Sequence, residues 1–329
     1  MADTIFPVVY SVLASSALIS QVLNQYDIGT VTSCQFWHRG LSDIYIVETQ
    51  AKQYVLRVSH VHWRSRSDID FELELLDFLR QNYIPVAYPL RTKTGQLAIA
   101  INALEGQRYA ALFIYAPGNV AIGDLNVTQS FSLGETVAKL HQTTQNFTTQ
   151  AQRQQLTLDY LLHDSFQAIK PFLHQRSPDL AYFTEVVNQL HLQLRHFPIE
   201  PPLWGICWGD PHSGNVHFTP EQQLTLFDFD QCGYGWRIFE IAKFLQVGLH
   251  SGLSAKVREA FISGYQTVAP LMEDELSSLQ AFTQVAHIWA WAICLNNTKL
   301  YDYSRLDDSY FHSRIAHLKM LRSPEWQLF

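Results

Sequence analysis

Charge is scarce in this chain. Asp, Glu, Lys and Arg make up only 16% of its 329 residues, against roughly 25% in an average globular protein. Lys and Arg number 23 against 30 Asp and Glu, a net charge of -7, which argues against a nucleic-acid binder that works by phosphate neutralisation. Cysteine is also sparse: Cys34, Cys207, Cys232 and Cys294 lie far apart, with neither a Cys-x-x-Cys pair nor the spacing of a zinc site. No apolar run approaches the ~18 residues of a membrane span. The greasiest stretch, Val285 to Leu295, is short and contains His287. No Lys or Arg precedes Arg39, so the basic start of a secretory signal is missing and a reduced, cytoplasmic protein is expected. Repeats and low-complexity tracts are absent as well. What the chain does have is 47% hydrophobic residues, including 20 Phe, 15 Tyr and 8 Trp, ample for a sizeable core.

Apolar positions at Ala14, Ala17, Leu18 and Val22 predict a helix over 11–24 packed on one side. After Gly29 the period changes to two. Val31 to Trp37, Ile44 to Thr49 and Tyr54 to Ser59 read as successive strands, followed by a helix from about Asp68 to Gln81 and strands at Leu97 to Ala103 and Tyr109 to Tyr115. Ala116-Pro117-Gly118 breaks the pattern. From Asn126 onward the expectation is mostly helix, apart from one hairpin-like segment from Val216 to Asp230. Strands first and helices after predict an α+β protein of two lobes, residues 1–115 and 116–329.

The densest polar cluster is Trp208-Gly209-Asp210-Pro211-His212-Ser213-Gly214-Asn215, set between apolar runs. Asn215 leads into the hairpin, whose return strand ends in Asp228-Phe229-Asp230, so Asp228 is expected beside Asn215. A carboxylate and a carboxamide oxygen are hard donors that suit Mg2+ shared with phosphate oxygens. Asp210, on the same loop, could orient an incoming hydroxyl and take its proton; phosphoryl transfer asks for little else. Asp230 reads either as a second metal contact or as a strand-end cap. His212 and His217 read as loop and packing residues, because a Mg2+ site prefers oxygen.

Aspartate, four residues, asparagine, then a strand ending in Asp-Phe is the spacing of a kinase catalytic loop and metal motif. The segment from Trp208 to Leu245 resembles the aminoglycoside phosphotransferase and choline-kinase-like superfamily. That resemblance implies a bilobal, protein-kinase-like fold, ATP and Mg2+ as cofactors, and transfer of the γ-phosphate to an alcohol. It implies Asp210 as the catalytic base and Asn215 and Asp228 as metal ligands. In the N-lobe it implies a phosphate-covering turn, matched by Gly40 and Ser42, and a strand cation paired to a helix carboxylate, matched by Arg57 and Glu72. Glu72 shares a face with Leu75, Leu76 and Leu79, whereas Glu74 lies further round. The strand ending at Tyr115 resembles the family's hinge, where backbone groups of Ile114 and Ala116 would hold adenine. Softer matches are Leu133-Gly134 through Leu140-His141 and Gly264-Tyr265-Gln266. The latter resembles a motif of bacterial homoserine-kinase-like and stress-response kinases.

Two positions depart from the family pattern: Trp208 stands where His is usual, and Arg57 where Lys is usual. They leave open a pseudokinase beside the active enzyme, and a protein Ser/Thr kinase beside a small-molecule one. The expected partner is a small-molecule hydroxyl acceptor, with neither nucleic acid nor membrane. From Ser251 to Phe329, seven Lys and Arg face eight Asp and Glu, so this region lacks the acidity of a polycation pocket. Trp289, Trp291 and Tyr301 read first as core and second as the lining of an acceptor pocket.

Overall fold

The computed structural model describes residues 6–121 and 124–328. The chain divides into two compact units. One comprises Met1–Pro117 with Phe147–Arg153 and Thr225–Phe227; the other comprises Gly118–Asn146, Gln154–Leu224 and Asp228–Phe329.

The first unit is built on the period-two strands: β1 (Val31–Arg39), β2 (Ser42–Thr49), β3 (Gln53–Ser59), β4 (Ile99–Ala103) and β5 (Gly106–Ile114). They form an antiparallel sheet in the order β1-β2-β3-β5-β4. Leu56 pairs with Tyr45 on one side and Leu112 on the other, while Arg57 pairs with Ile44 and Ala111. Alternation therefore sends Leu56 and Arg57 to opposite faces. The Leu56 face, with Tyr45, Val47, Val58, Ala110 and Leu112, packs on Leu18, Val22, Leu23 and Tyr26 of the N-terminal segment. That segment is helical over Ser15–Ala17, Leu18–Val22 and Leu23–Gln25, in turns of changing tightness rather than as one regular helix. The Arg57 face meets helix α1 (Arg66–Gln81). Ser65 and Asp68 begin this helix with a reciprocal capping box, satisfying two backbone donors that an uncapped end would leave unpaired. Later chain joins the unit: Ala87 N donates to Leu226 O at 2.8 Å, and Phe147 packs edge-on against Phe71.

In the second unit, helix α2 (Val127–Thr143) crosses a later helix, α5 (Ala255–Gln266), at backbone contact. A Cβ on Gly134 would lie 2.0 Å from Phe261 O, and one on Gly264 2.0 Å from Phe131 O. Only glycine leaves room for either carbonyl. Its other longer elements are α3 (Ser177–Leu194), β6 (Trp204–Cys207), β7 (Val216–Phe218), β9 (Gly233–Trp236), α4 (Arg237–Ser251), α6 (Glu273–Tyr301) and α7 (Asp308–Arg322); of β8 (Leu224–Leu226), Leu224 counts with this unit and the rest with the first. The expected hairpin is present, its turn closed by Thr219 N donating to Gln223 O at 2.9 Å. The expectation of mostly helix elsewhere was incomplete, because β6 and β9 pair antiparallel, Cys207 opposite Gly233 and Trp204 opposite Trp236. Each strand is four residues long, and β9 reads Gly-Tyr-Gly-Trp, too short and too rich in glycine to show a period-two apolar signal. Trp289 and Trp291 are core residues, 2% and 0% exposed, as first read. The side chain of Tyr301 lies outside the described residues.

Candidate active site

The β6–β9 pair determines where the polar loop goes. The chain leaves β6 at Trp208 and turns at Gly209, whose φ of +92° favours glycine and whose Cβ position lies 2.1 Å from Gln231 O. The loop after β6 thus rests on the backbone just before β9. Trp208 strengthens this contact: its indole nitrogen donates to Asp228 O at 3.0 Å, and its ring stacks on Phe229 at 5.6 Å. Asn215, at the end of the loop, donates from its carboxamide nitrogen to Asp210 O at 3.1 Å, and its oxygen takes no part in that bond. Asp228 is exposed and holds a left-handed φ of +57°, unusual outside glycine. Asp210, Asn215 and Asp228 are therefore all tied to one stretch of backbone, and the donors of Asn215 and Asp228 are the hard oxygens a magnesium ion takes. Asp230 is buried, its N–H directed at Asp228 Oδ1 at 3.5 Å.

Two residues absent from the sequence reading hold this loop from α4. Glu240, fully buried, accepts hydrogen bonds from the backbone N–H groups of Trp208 and Gly209, the latter at 2.8 Å, and from His141 Nε2 at 3.3 Å. His141 Nδ1 faces Tyr265 Oη at 2.7 Å, so the phenol donates to Nδ1 while Nε2–H donates to the carboxylate. One turn further along α4, Lys243 Nζ lies 3.1 Å from Asp210 Oδ1. Burial alone would raise the Asp210 carboxyl; the Lys243 ammonium and the hydrogen bond from His212 outweigh it and hold the group well below the usual carboxylate range. A signal for Lys243 did exist. It is a lone cation among the apolar residues Ile241, Ala242, Phe244 and Leu245, the same pattern that singled out Arg57 on its strand.

In the first unit, Arg57 and Glu72 meet as expected. Nη1 and Nη2 reach the two carboxylate oxygens at 2.7 and 2.6 Å, and the guanidinium lies 4.8 Å from the centre of the Phe113 ring. Planar, two-point pairing of this kind suits Arg where a lysine would make a single contact. Gly40 and Ser42 form the β1–β2 turn, Gly40 N donating to Ser42 O at 3.0 Å. That turn is pinned by a residue the sequence reading passed over. Asp43, 0% exposed, is bound by Arg39 (2.7 Å), Arg108 (2.7 Å) and His60 (3.2 Å). Ile114 ends β5 with its N–H donated to Tyr88 O at 3.2 Å, and Ala116 follows, buried.

Among the described residues, His141, Cys207 and Glu240 also bring nitrogen, sulfur and oxygen atoms within 4.8 Å of one another. Each is already engaged: Cys207 Sγ donates to Trp236 O at 3.4 Å, and burial pushes its thiol well up, away from the thiolate that a metal needs. His212 accepts from Gly214 N through Nδ1 and turns Nε2 toward Asp210 Oδ2 at 3.5 Å, a loop residue as read.

The sequence from residue 34 to 281 matches the family model for the phosphotransferase enzyme family. The chain belongs to that family. It is an ATP-dependent phosphotransferase acting on a hydroxyl group. It is 56% identical to an uncharacterized protein of Synechocystis sp., over all of this chain and 91% of that one. In fold it is similar to a solved amicoumacin kinase in complex with AMP-PNP and Ca2+ (TM-score 0.77, 20% identity, covering 93% of this chain and 92% of that one). It is equally similar to a microcompartment-associated aminopropanol kinase (TM-score 0.77, 20% identity, 93% and 95%). The protein-kinase-like fold expected from the catalytic segment is thus the fold of this family. Among the described residues, no helix is long and apolar enough to cross a membrane.

Proposed function

We propose that this family member is a cytoplasmic small-molecule kinase in which Asp210 orients the acceptor hydroxyl and accepts its proton, while Asn215 and Asp228 hold Mg2+. The observation that carries this reading is the Asp210 carboxylate, kept ionised by Lys243 on a loop whose far end, Asn215, is bonded back to Asp210 itself. The metal, when bound, neutralises charge on the phosphates; the protein supplies orientation. In the first unit, Arg57, fixed by Glu72, meets phosphate oxygens, the Gly40–Ser42 turn covers them, and backbone groups at Ile114 and Ala116 take adenine. Arg57 suits this role because the carboxylate partner presets its fork. Trp208 supports an intact catalytic loop, since its indole bond to Asp228 O ties loop to metal ligand where a histidine would otherwise stand.

The relatives in the fold comparison are kinases of amicoumacin and of aminopropanol, and an amino alcohol is therefore the first acceptor class to try. Asp210→Ala is expected to keep binding Mg-ATP, read as a melting shift, and to lose ADP release by two orders of magnitude or more. Unchanged ADP release by this variant would refute the assignment. A panel of amino alcohols, homoserine, sugars, aminoglycosides and a Ser/Thr protein substrate identifies the acceptor, and turnover with the protein alone would favour the protein-kinase reading.

A further inference from the structure

We propose that Lys243 is a positioning residue for phosphoryl transfer: it occupies Oδ1 of Asp210 so that Oδ2 is the oxygen that receives the acceptor's proton. The proposal rests on the reading of Asp210 given above.

The two oxygens of Asp210 have unequal surroundings. Oδ1 faces the Lys243 ammonium at 3.1 Å. Oδ2 has only longer contacts, Gln231 Nε2 at 3.3 Å and His212 Nε2 at 3.5 Å, neither of them a permanent charge. Lys243 itself is 4% exposed, inside α4, with its Nζ 5.9 Å from the centre of the Trp289 ring. A lysine so enclosed has few alternative places for its ammonium, so it fixes the carboxylate's rotation as well as its charge. Unfilled hydrogen-bonding capacity lies on the Oδ2 side. The amide of Gln231 that donates to Oδ2 carries a buried Oε1 with no partner among the described residues. Buried polar atoms are nearly always paired, and an orphan beside the base marks the side from which a polar acceptor approaches.

In the reaction the acceptor oxygen bonds to the γ-phosphorus as the bond from phosphorus to the β,γ-bridging oxygen breaks, its electron pair leaving with ADP. The acceptor's proton passes to Asp210 Oδ2 and then to solvent. Because the transition state is loose, base strength matters less than where the oxygen points. A carboxylate held on one oxygen presents the other in a constant direction; a freely rotating one does not.

The test uses the full-length enzyme with Mg-ATP and water as acceptor, reading ADP release, and then repeats it with the best acceptor of the panel. Lys243→Met, uncharged and of similar length, is expected to lower kcat 10- to 100-fold while KM for ATP stays within twofold. Lys243→Arg is expected to recover at least a third of the lost rate. In an Asp210→Asn background, Lys243→Met is expected to leave the rate nearly unchanged, since the carboxylate it orients is already gone, and to raise the melting temperature by removing a buried unpaired charge. A Lys243→Met enzyme with wild-type kcat, or one whose loss is the same with and without the Asp210 carboxylate, overturns the proposal. Should Lys243→Met fail to fold, the Lys243→Arg and double-variant rates decide the matter by the same criteria. Wild-type enzyme that releases no ADP with any acceptor would overturn the phosphotransfer reading itself, an outcome distinct from a wild-type rate that Lys243 substitutions leave untouched.

Discussion

Replacing Glu240 by Gln tests whether one carboxylate on α4 sets the catalytic loop. The side chain is 0% exposed and receives three donors: the N–H groups of Trp208 and Gly209 and His141 Nε2–H. Glutamine keeps the shape and replaces one acceptor oxygen with a second donor. Turned one way, its NH2 faces the Gly209 N–H; turned the other, it faces the Trp208 N–H. Either orientation leaves one buried backbone donor unpaired, at a cost of about 1–3 kcal/mol, and the remaining bonds lose their charge assistance. The neutral amide costs less to bury than the carboxylate, which offsets part of the loss. A net destabilisation of about 2–3 kcal/mol follows, or roughly 5–10 °C in Tm for a unit of this size. The effect on rate is expected to be larger than on stability at the assay temperature, because a displacement of about 1 Å at a catalytic group costs on the order of 100-fold. Differential scanning calorimetry and ADP release on the same preparation read both quantities. A Glu240→Gln enzyme that melts within 1 °C of wild type and turns over at the wild-type rate would refute the anchoring argument.

Two further outcomes can be measured. Gly264→Ala places a Cβ 2.0 Å from Phe131 O, an obstacle made of backbone that cannot turn aside, so a loss of several °C in Tm is expected and a wild-type melting curve would contradict the close helix crossing. Acid is expected to weaken the second unit before its carboxylates titrate. His287 donates Nε2–H to Arg314 O and keeps Nδ1 buried without a partner, its ring 4.8 Å from that of His317, which in turn lies 4.9 Å from His250. Burial, with His317 and Arg314 adding to it, pushes His287 well down, and burial beside His250 and Arg314 brings His317 to about 4. Between about pH 6.5, the unfolded value, and about 4 the unfolded chain binds more protons than the folded one. Their contribution is therefore complete above pH 6.5 and lost as the pH falls toward 4. A His287→Phe variant whose Tm falls as steeply over that interval as the wild type would contradict this account.

What could be read from the residues alone was whatever depends on local pattern. The three first strands, α1 with Glu72 on its inner face, and the spacing of Asp210, Asn215 and Asp228 all follow from periodicity and loop chemistry. Residues that act across the fold were not visible in that way. Glu240 reaches the loop from 31 positions away; like Lys243 it is a lone charge in an apolar run, but nothing local says which backbone it serves. Asp43 meets Arg108 across 65 positions and stands at the start of β2 beside a turn whose composition suggests exposure. The β6–β9 pair escaped notice because its strands are shorter than the window in which alternation becomes a signal. Gly134 and Gly264 lie 130 positions apart, and the reason for both is a single helix crossing, which a one-dimensional reading keeps apart.

One consequence of α4 concerns error rather than energy. Glu240 and Lys243 stand three residues apart on a rigid helix, a fixed offset of about 4.5 Å along its axis. The first sets the height of the loop and the second sets the carboxylate at its tip. Any slide or tilt of α4 is therefore shared by both, a common-mode displacement that leaves the base in register with its own loop. Tolerance to thermal motion is built in at the cost of one constraint: the spacing between these two residues cannot change by even one insertion without separating the support from what it supports.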